Sequence, residues 1–193
     1  MNLTLAEIAR YMRMGRTVPD GALAARVTEL RDDALTIIRP AHIGRRFPIV
    51  EGNIVSGSVR LALAGTLARH LADCRAAYLA CGTIGAGFDA FQRRVSATSG
   101  ADALIVQAIG AALVEKLMDE VEVEIHRKLQ PNETLVSRYS PGYGDFPLTA
   151  QRELLSLLDA PRKVGVSLTD TLLMVPSKSV SAIIGVKEEI PTP

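Results

Sequence analysis

The chain has 193 residues, 48% of them apolar, enough for a proper core and too many for a disordered segment. Its 22 basic and 21 acidic residues leave a formal net charge of +1, which excludes duplex nucleic acid as a default partner, since that partner calls for a concentrated basic face. With aromatics at 4% and no tryptophan, a stacking platform for single strands is excluded too.

Thr4-Leu5-Ala6-Glu7 has the spacing of a capping box, and Leu5, Ile8 and Met12 line one face of the short helix it opens. Pro19-Asp20-Gly21 marks a turn. Leu23, Val27, Leu30, Ala34 and Ile37 then form an amphipathic stripe that predicts a second helix, ended by Arg39-Pro40. From Phe47 to Leu63 short apolar runs split by Glu51-Gly52-Asn53 predict a β-hairpin. A helix over 64–71 follows, then a buried strand over 76–80 feeding Gly82-Thr83-Ile84-Gly85-Ala86-Gly87, then a helix over 88–96. The longest helix is expected over 101–129, apolar on all sides at first and later carrying Leu113, Leu117, Val121 and Ile125 inward. Such a helix should be the central element of the fold. Another helix over 148–158 and strands over 164–168 and 180–186 complete the pattern. Residues 1–40 thus read as a helical subregion, 41–186 as an α+β core and 187–193 as a frayed tail, within one domain.

Cys74 and Cys81 have neither redox-pair nor zinc-pair spacing and read as free buried thiols of a reducing cytosol. No basic-then-apolar leader opens the chain, and no apolar run reaches the ~20 residues of a membrane helix. A soluble cytoplasmic protein is expected. Arg39, Arg45 and Arg46 are the nearest basic patch and read as a solvated corner. Gly82-x-x-Gly85-x-Gly87 is neither a Walker loop nor a dinucleotide loop and reads as a structural turn. His126, one turn after Glu122, is either a ligand pair or a solvated helix contact; no metal site and no hydrolase elbow is expected. Lys178 reads as an exposed strand lysine.

The densest chemistry lies in Ser137-Arg138-Tyr139-Ser140-Pro141-Gly142-Tyr143-Gly144-Asp145-Phe146-Pro147. Two glycines and two prolines shape a stiff loop. Arg138 offers a planar donor fork for a carboxylate or phosphate, and Tyr139 and Tyr143 offer flat faces. Asp145 is suited either to ribose hydroxyls or to capping the helix near Leu148. An ordinary tight turn with packing tyrosines explains the same composition.

Arg138 to Val186 resembles the activation (reactivation) domain of cobalamin-dependent methionine synthase, in a free-standing short form. Arg138-Tyr139-Ser140-Pro141-Gly142-Tyr143 reproduces that family's Arg-x-x-x-Gly-Tyr signature, and Pro176-Ser177-Lys178-Ser179-Val180-Ser181 its Pro-x-x-Ser-Val-Ser segment. The resemblance implies an α+β fold with a twisted, mostly antiparallel sheet and surrounding helices. It further implies an S-adenosylmethionine-binding reactivation module supporting reductive methylation of cob(II)alamin. That makes the chain a component of methionine synthase activity rather than a catalyst with its own acid and base. By the same carry-over, Arg138, Tyr139, Gly142, Tyr143 and Asp145 hold the cofactor. The family's acidic contact on the long helix falls at Ala111, with Glu115 one turn further on. The corrinoid-binding pattern Asp-x-His-x-x-Gly is absent, since Pro40, Ala68 and Glu124 stand two residues before the three histidines. Cobalamin is therefore expected only on a partner, a methionine synthase or related corrinoid protein, with flavodoxin or ferredoxin as electron donor. The alternatives are a non-catalytic corrinoid-protein-binding adaptor and an independent methyltransferase on a parallel, doubly wound sheet. Truncating Arg138 or Tyr143 is expected to weaken binding without unfolding the chain.

Overall fold

A computed structural model describes residues 1–15 and 17–188. The fold is organised by one six-stranded sheet in which every neighbouring pair is antiparallel. In chain order its strands are β1 (Ala41–Val50), β2 (Asn53–Ser56), β3 (Val59–Ala62), β4 (Cys74–Thr83), β5 (Glu133–Leu135) and, last, Ser179–Glu188. Between the last two come a two-residue pair, β6 (Ser167–Leu168) and β7 (Met174–Val175), so the final long strand is β8. The spatial order is β3-β2-β1-β4-β8-β5, not the parallel arrangement of a doubly wound fold.

β4 sits near the middle because nearly every one of its side chains is apolar or small and all but Arg75 are buried, the pattern of a strand covered on both faces. It pairs with β1 from Ala41–Thr83 to Pro48–Ala76 and with β8 from Ser179–Thr83 to Val186–Ala76. The expected hairpin is present, closed by Glu51-Gly52 with positive φ at both residues. It belongs to a three-strand meander that begins earlier, at Ala41.

Among the described residues, seven α-helices cover the sheet: α1 (Leu5–Tyr11), α2 (Gly21–Ile37), α3 (Gly65–His70), α4 (Ala86–Ser96), α5 (Gly100–His126), α6 (Gln151–Leu158) and α7 (Ala160–Val164). α5 lies on one face. Val121 and Ile125 meet Ala80, Ala182 and Ile184 of β4 and β8, while α1, α2 and α4 pack on its other sides. The approach is close because Gly82 of β4 carries no side chain; a Cβ there would stand 2.9 Å from Met118 Sδ of α5. Gly85, at φ +90, turns the chain beside Arg39 and opens α4, so the Gly82–Gly87 segment is a structural turn as expected. The opposite face holds Phe146, Leu154, Leu158, Val164 and Ile183 around α3, α6 and α7.

Several expectations need correction. Val164 closes a helix over 160–164 rather than opening a strand over 164–168: Pro161 suits a first helical turn, and Gly165 at φ +69 ends it. What remains, Ser167–Leu168, pairs with β7 outside the main sheet. Leu104 projects from α5 into solvent, so that helix is not buried all round at its start. Lys178 is buried, and its amine is pushed below the usual lysine range chiefly by desolvation. Arg45 and Arg46 are exposed, as expected, but lie within β1 rather than at a corner; Arg45 lies over the Phe47 ring, and Arg46 pairs with the buried Glu133 from across the sheet. Lys187 and Glu188 belong to β8, and the rest of the expected tail, 189–193, lies outside the described residues. Cys74 and Cys81 are free and buried.

Candidate functional site

The segment that carries the signature begins as sheet edge. After β5, Val136 N–H donates to Gly185 C=O at 3.0 Å, and Tyr139 exchanges two backbone bonds of 2.8 Å with Ile183. Neighbouring strand residues point to opposite faces, so Arg138 and Tyr139 diverge.

Arg138 turns to α5. Its guanidinium lies 2.7 Å from Asp119, 3.1 Å from Glu115 and 3.1 Å from Glu122. These three acids stand at i, i+4 and i+7, one stripe of the helix. Glu115 and Asp119 accept hydrogen bonds. The Nη1–Glu122 contact is an ion pair whose angles make no hydrogen bond, and both of its atoms are enclosed without another partner. Burial, reinforced by the neighbouring acids and opposed by Arg138, holds the Glu122 carboxyl above its ordinary value. Tyr11 of α1 faces the same group; burial first, then Glu115 and Asp119, push its phenol up.

Tyr139 turns the other way. Its ring lies 5.4 Å from His70 and 6.2 Å from Phe146, and its hydroxyl donates to the Tyr143 carbonyl at 3.2 Å. The turn beyond is closed by Gly142 N–H to Phe146 C=O at 2.9 Å and Tyr143 N–H to Ser140 C=O at 3.2 Å. Gly142 sits at φ +93, a conformation that disfavours any side chain. Tyr143 is left 64% exposed. Asp145 caps a helix, but not the expected one near Leu148. Its carboxylate accepts from Thr66 Oγ at 2.6 Å and Thr66 N–H at 2.7 Å at the start of α3, and these bonds hold it below the usual carboxylate range.

The expected site residues therefore form two groups separated by the sheet edge. Arg138 and Glu115 meet, and Tyr139, Gly142, Tyr143 and Asp145 share one turn. Ala111 brings no charge to the α5 stripe. Asp119 and Tyr11 were not singled out from sequence, and Glu122 was noted only beside His126; the spacing 115, 119, 122 was the available signal for the two acids, whereas nothing local points to Tyr11. Of the two readings of Glu122 and His126, the ligand pair is not seen, since Glu122 faces Arg138; His42 lies 3.1 Å from Glu124. A groove of about 400 Å³ beside Arg152, Ser156 and Leu168 lies away from the signature residues, whereas one of about 390 Å³ on α5 is walled in part by Asp119.

A family model described as the activation domain of vitamin B12-dependent methionine synthase matches residues 69–190, from the end of α3 through β8 and across the whole signature turn. The chain belongs to this family. It is also similar to a solved structure, the MetH reactivation domain bound to AdoHcy, with a TM-score of 0.57 and 19% identity over 90% of this chain and 69% of that one. At that identity the likeness speaks for the fold, an antiparallel sheet with helices around it. No curated protein matches the sequence. Among the described residues, no helix is long and apolar enough to cross a membrane.

Proposed function

We propose that the chain is an S-adenosylmethionine-binding reactivation module acting on cobalamin carried by a partner, a methionine synthase or related corrinoid methyltransferase, in the cytoplasm. The observation that carries this reading is the family match over 69–190, which contains Arg138, Gly142 and Tyr143 in the signature spacing. The arrangement fits such a ligand. Tyr143 presents an exposed ring at a turn shaped by Gly142, and the guanidinium of Arg138 lies on the α5 side of the same edge. When bound, S-adenosylmethionine would supply the methyl group to a corrinoid on the partner, reduced by one electron from flavodoxin or ferredoxin, and leave as S-adenosylhomocysteine. The residues of this chain have only to bind and orient, which is where effective concentration arises.

A second reading, a corrinoid-protein-binding adaptor without cofactor, draws on one observation: the Arg138 guanidinium is already engaged by three carboxylates of its own chain. An independent methyltransferase of the doubly wound type has no support in an all-antiparallel main sheet. Titration calorimetry separates the readings. The reactivation module binds S-adenosylmethionine, alone or with the corrinoid protein present. Absence of heat in both arms refutes it and leaves the adaptor. Turnover of S-adenosylmethionine with no corrinoid protein present points to the third.

A further inference from the structure

Lys178 has no task in the reactivation reading, yet the fold fixes it closely. Its carbonyl accepts from Ile84 N–H at 3.1 Å and from Thr83 Oγ1 at 3.4 Å. On one side, Ser177 gives its N–H and its hydroxyl to the two carboxylate oxygens of Asp89 on α4, at 2.9 and 2.6 Å. On the other, Ser179 Oγ donates to the Pro176 carbonyl at 2.7 Å. The side chain runs over Gly110 of α5 and beside Phe88 of α4. A Cβ on Gly110 would stand 2.7 Å from Lys178 Cε and 2.5 Å from the Phe88 ring, so the glycine makes the room. Lys178 is left 8% exposed.

Among the described residues, nothing pairs with the Lys178 amine. Asp89 is the charged group that bears on it, and both oxygens of that carboxylate are already engaged by Ser177. The α5 positions one turn from Gly110, namely Val106, Gln107, Leu113 and Val114, carry no charge. An unpaired ammonium in such surroundings is costly, and burial favours the neutral amine over the opposing pull of Asp89. The nitrogen is nevertheless not enclosed, so its tip reaches solvent. A neutral primary amine is a nucleophile, whereas an ammonium is not. An amide in the same place would bury no charge at all. We propose that Lys178 is an acylation site, taking a small acyl group from an acyl phosphate. The amine attacks the acyl carbon, a C–N bond forms, and the bond from that carbon to the phosphate oxygen breaks. Phosphate leaves with the electron pair and takes the proton that the nitrogen gives up. The narrow opening selects a small acyl group. This inference is independent of the reactivation reading.

The test treats the full chain with acetyl phosphate and follows acetylation of Lys178 and of the exposed Lys163 by mass spectrometry of their peptides. At about pH 7 Lys178 should react several-fold faster than Lys163. An ordinary lysine becomes neutral only near about pH 10.4, so the ratio of the two rates should fall toward one as pH rises to that value. In urea, where the surroundings of Lys178 are lost, the preference should disappear at every pH. A Lys178 rate at or below that of Lys163 at about pH 7 overturns the proposal. So does a ratio that stays constant with pH, or one that survives unfolding, since either would place the cause outside the folded environment. Thermal melts supply a second readout. Chain acetylated at Lys178 should melt no lower than the unmodified chain, because the product removes a buried charge. A clear fall in melting temperature would show that the space over Gly110 does not accept the acyl group, and would overturn the proposal as well.

Discussion

Replacing Arg138 by alanine tests the proposed site and the physics of the sheet edge together. The side chain is only 24% exposed, and it faces one exposed acid, Asp119, and two half-buried ones, Glu115 and Glu122. Exposed ion pairs contribute about 0.2–1 kcal/mol each, whereas breaking a fully buried pair costs about 3–5 kcal/mol. Arg138 lies between these limits, so a loss of about 2 kcal/mol is expected, equivalent in a chain of this length to a fall in melting temperature of about 4–8 °C. The expectation from sequence, weaker binding without unfolding, thus acquires a measurable stability cost.

The pH dependence identifies the cause. In the folded protein the Glu122 carboxyl is held above its ordinary value by burial and neighbouring acids, with Arg138 opposing. Removing Arg138 lifts it further. A carboxyl raised in the folded state favours folding when protonated and opposes folding when ionised, so its penalty is full above the folded pKa and fades as pH falls through it. The stability gap between the unmodified chain and Arg138→Ala should thus be widest near neutrality and narrow as pH falls through the range just above the ordinary carboxylate value. Urea denaturation at about pH 7.5 and about pH 5 measures it. Parallel profiles, with a gap independent of pH, would refute the claim that Arg138 neutralises a half-buried carboxylate. In the binding assay the lost charge-assisted hydrogen bond should weaken S-adenosylmethionine by roughly ten- to a hundred-fold. Arg138→Lys, which keeps the charge but not the fork, should recover part of the stability and little of the affinity.

Glu7→Gln keeps the capping-box geometry but removes the charge facing Lys116, and should cost about 1 kcal/mol after allowance for solvent screening. Because Lys116 and the Thr4 bonds pull the Glu7 carboxyl down to about 2 from 4.5, that contribution is present above 4.5 and lost as pH falls toward 2, so denaturation curves of the two proteins should converge in acid. Gly142→Ala places a Cβ on a residue at φ +93, with Leu148 Cδ1 the nearest atom at 3.5 Å; the space is adequate but the backbone is not, and a loss of about 1 kcal/mol in denaturation together with weaker ligand binding is expected. Tyr143→Ala removes an exposed ring whose nearest aromatic neighbour is Tyr139 at 6.2 Å, so the melting temperature should move little while affinity for S-adenosylmethionine falls; the reverse pattern would make Tyr143 a packing residue.

The long elements were legible because each repeats its period several times. α2 and α5 show their stripes over many turns, and β4 is a continuous apolar run. The failures occur where the period is cut short. β5 has three residues and β7 two, too few to display any alternation. The apolar run Val164–Leu168 straddles a helix end and a two-residue strand, and its hydrophobicity hid the boundary at Gly165. In β1 the first half carries Arg45 and Arg46, whose charges argued for a corner; only the folded chain brings Phe47 and Glu133 beneath them. The site was half legible. Its turn chemistry is local, so Gly142 and Tyr143 could be found from composition. Its electrostatics are not, for Asp145 meets Thr66 across 79 positions and Arg138 meets the α5 acids across 16 to 23.

The Arg-x-x-x-Gly-Tyr spacing follows from sheet geometry as much as from ligand chemistry. Arg138 precedes the last edge residue that pairs with β8, and the Tyr139–Ile183 bridge fixes which face it takes. Three residues after that bridge, Gly142 adopts the positive φ that returns the chain, and Tyr143 follows at the exposed tip. An arginine one position later would point toward Phe146 rather than α5. A ligand that engages both signature residues must therefore wrap the edge of the sheet, meeting a charge on the α5 side and a ring at the tip of the turn. A long, extended molecule with a charged end and a flat end can span such a path, whereas a compact one meets only one side. Cutting the ligand into its amino-acid and nucleoside halves should accordingly divide the dependence: binding of the charged half responds to Arg138→Ala, and binding of the flat half to Tyr143→Ala. Sensitivity of both halves to the same substitution would show that the two groups converge, contrary to the geometry of the edge.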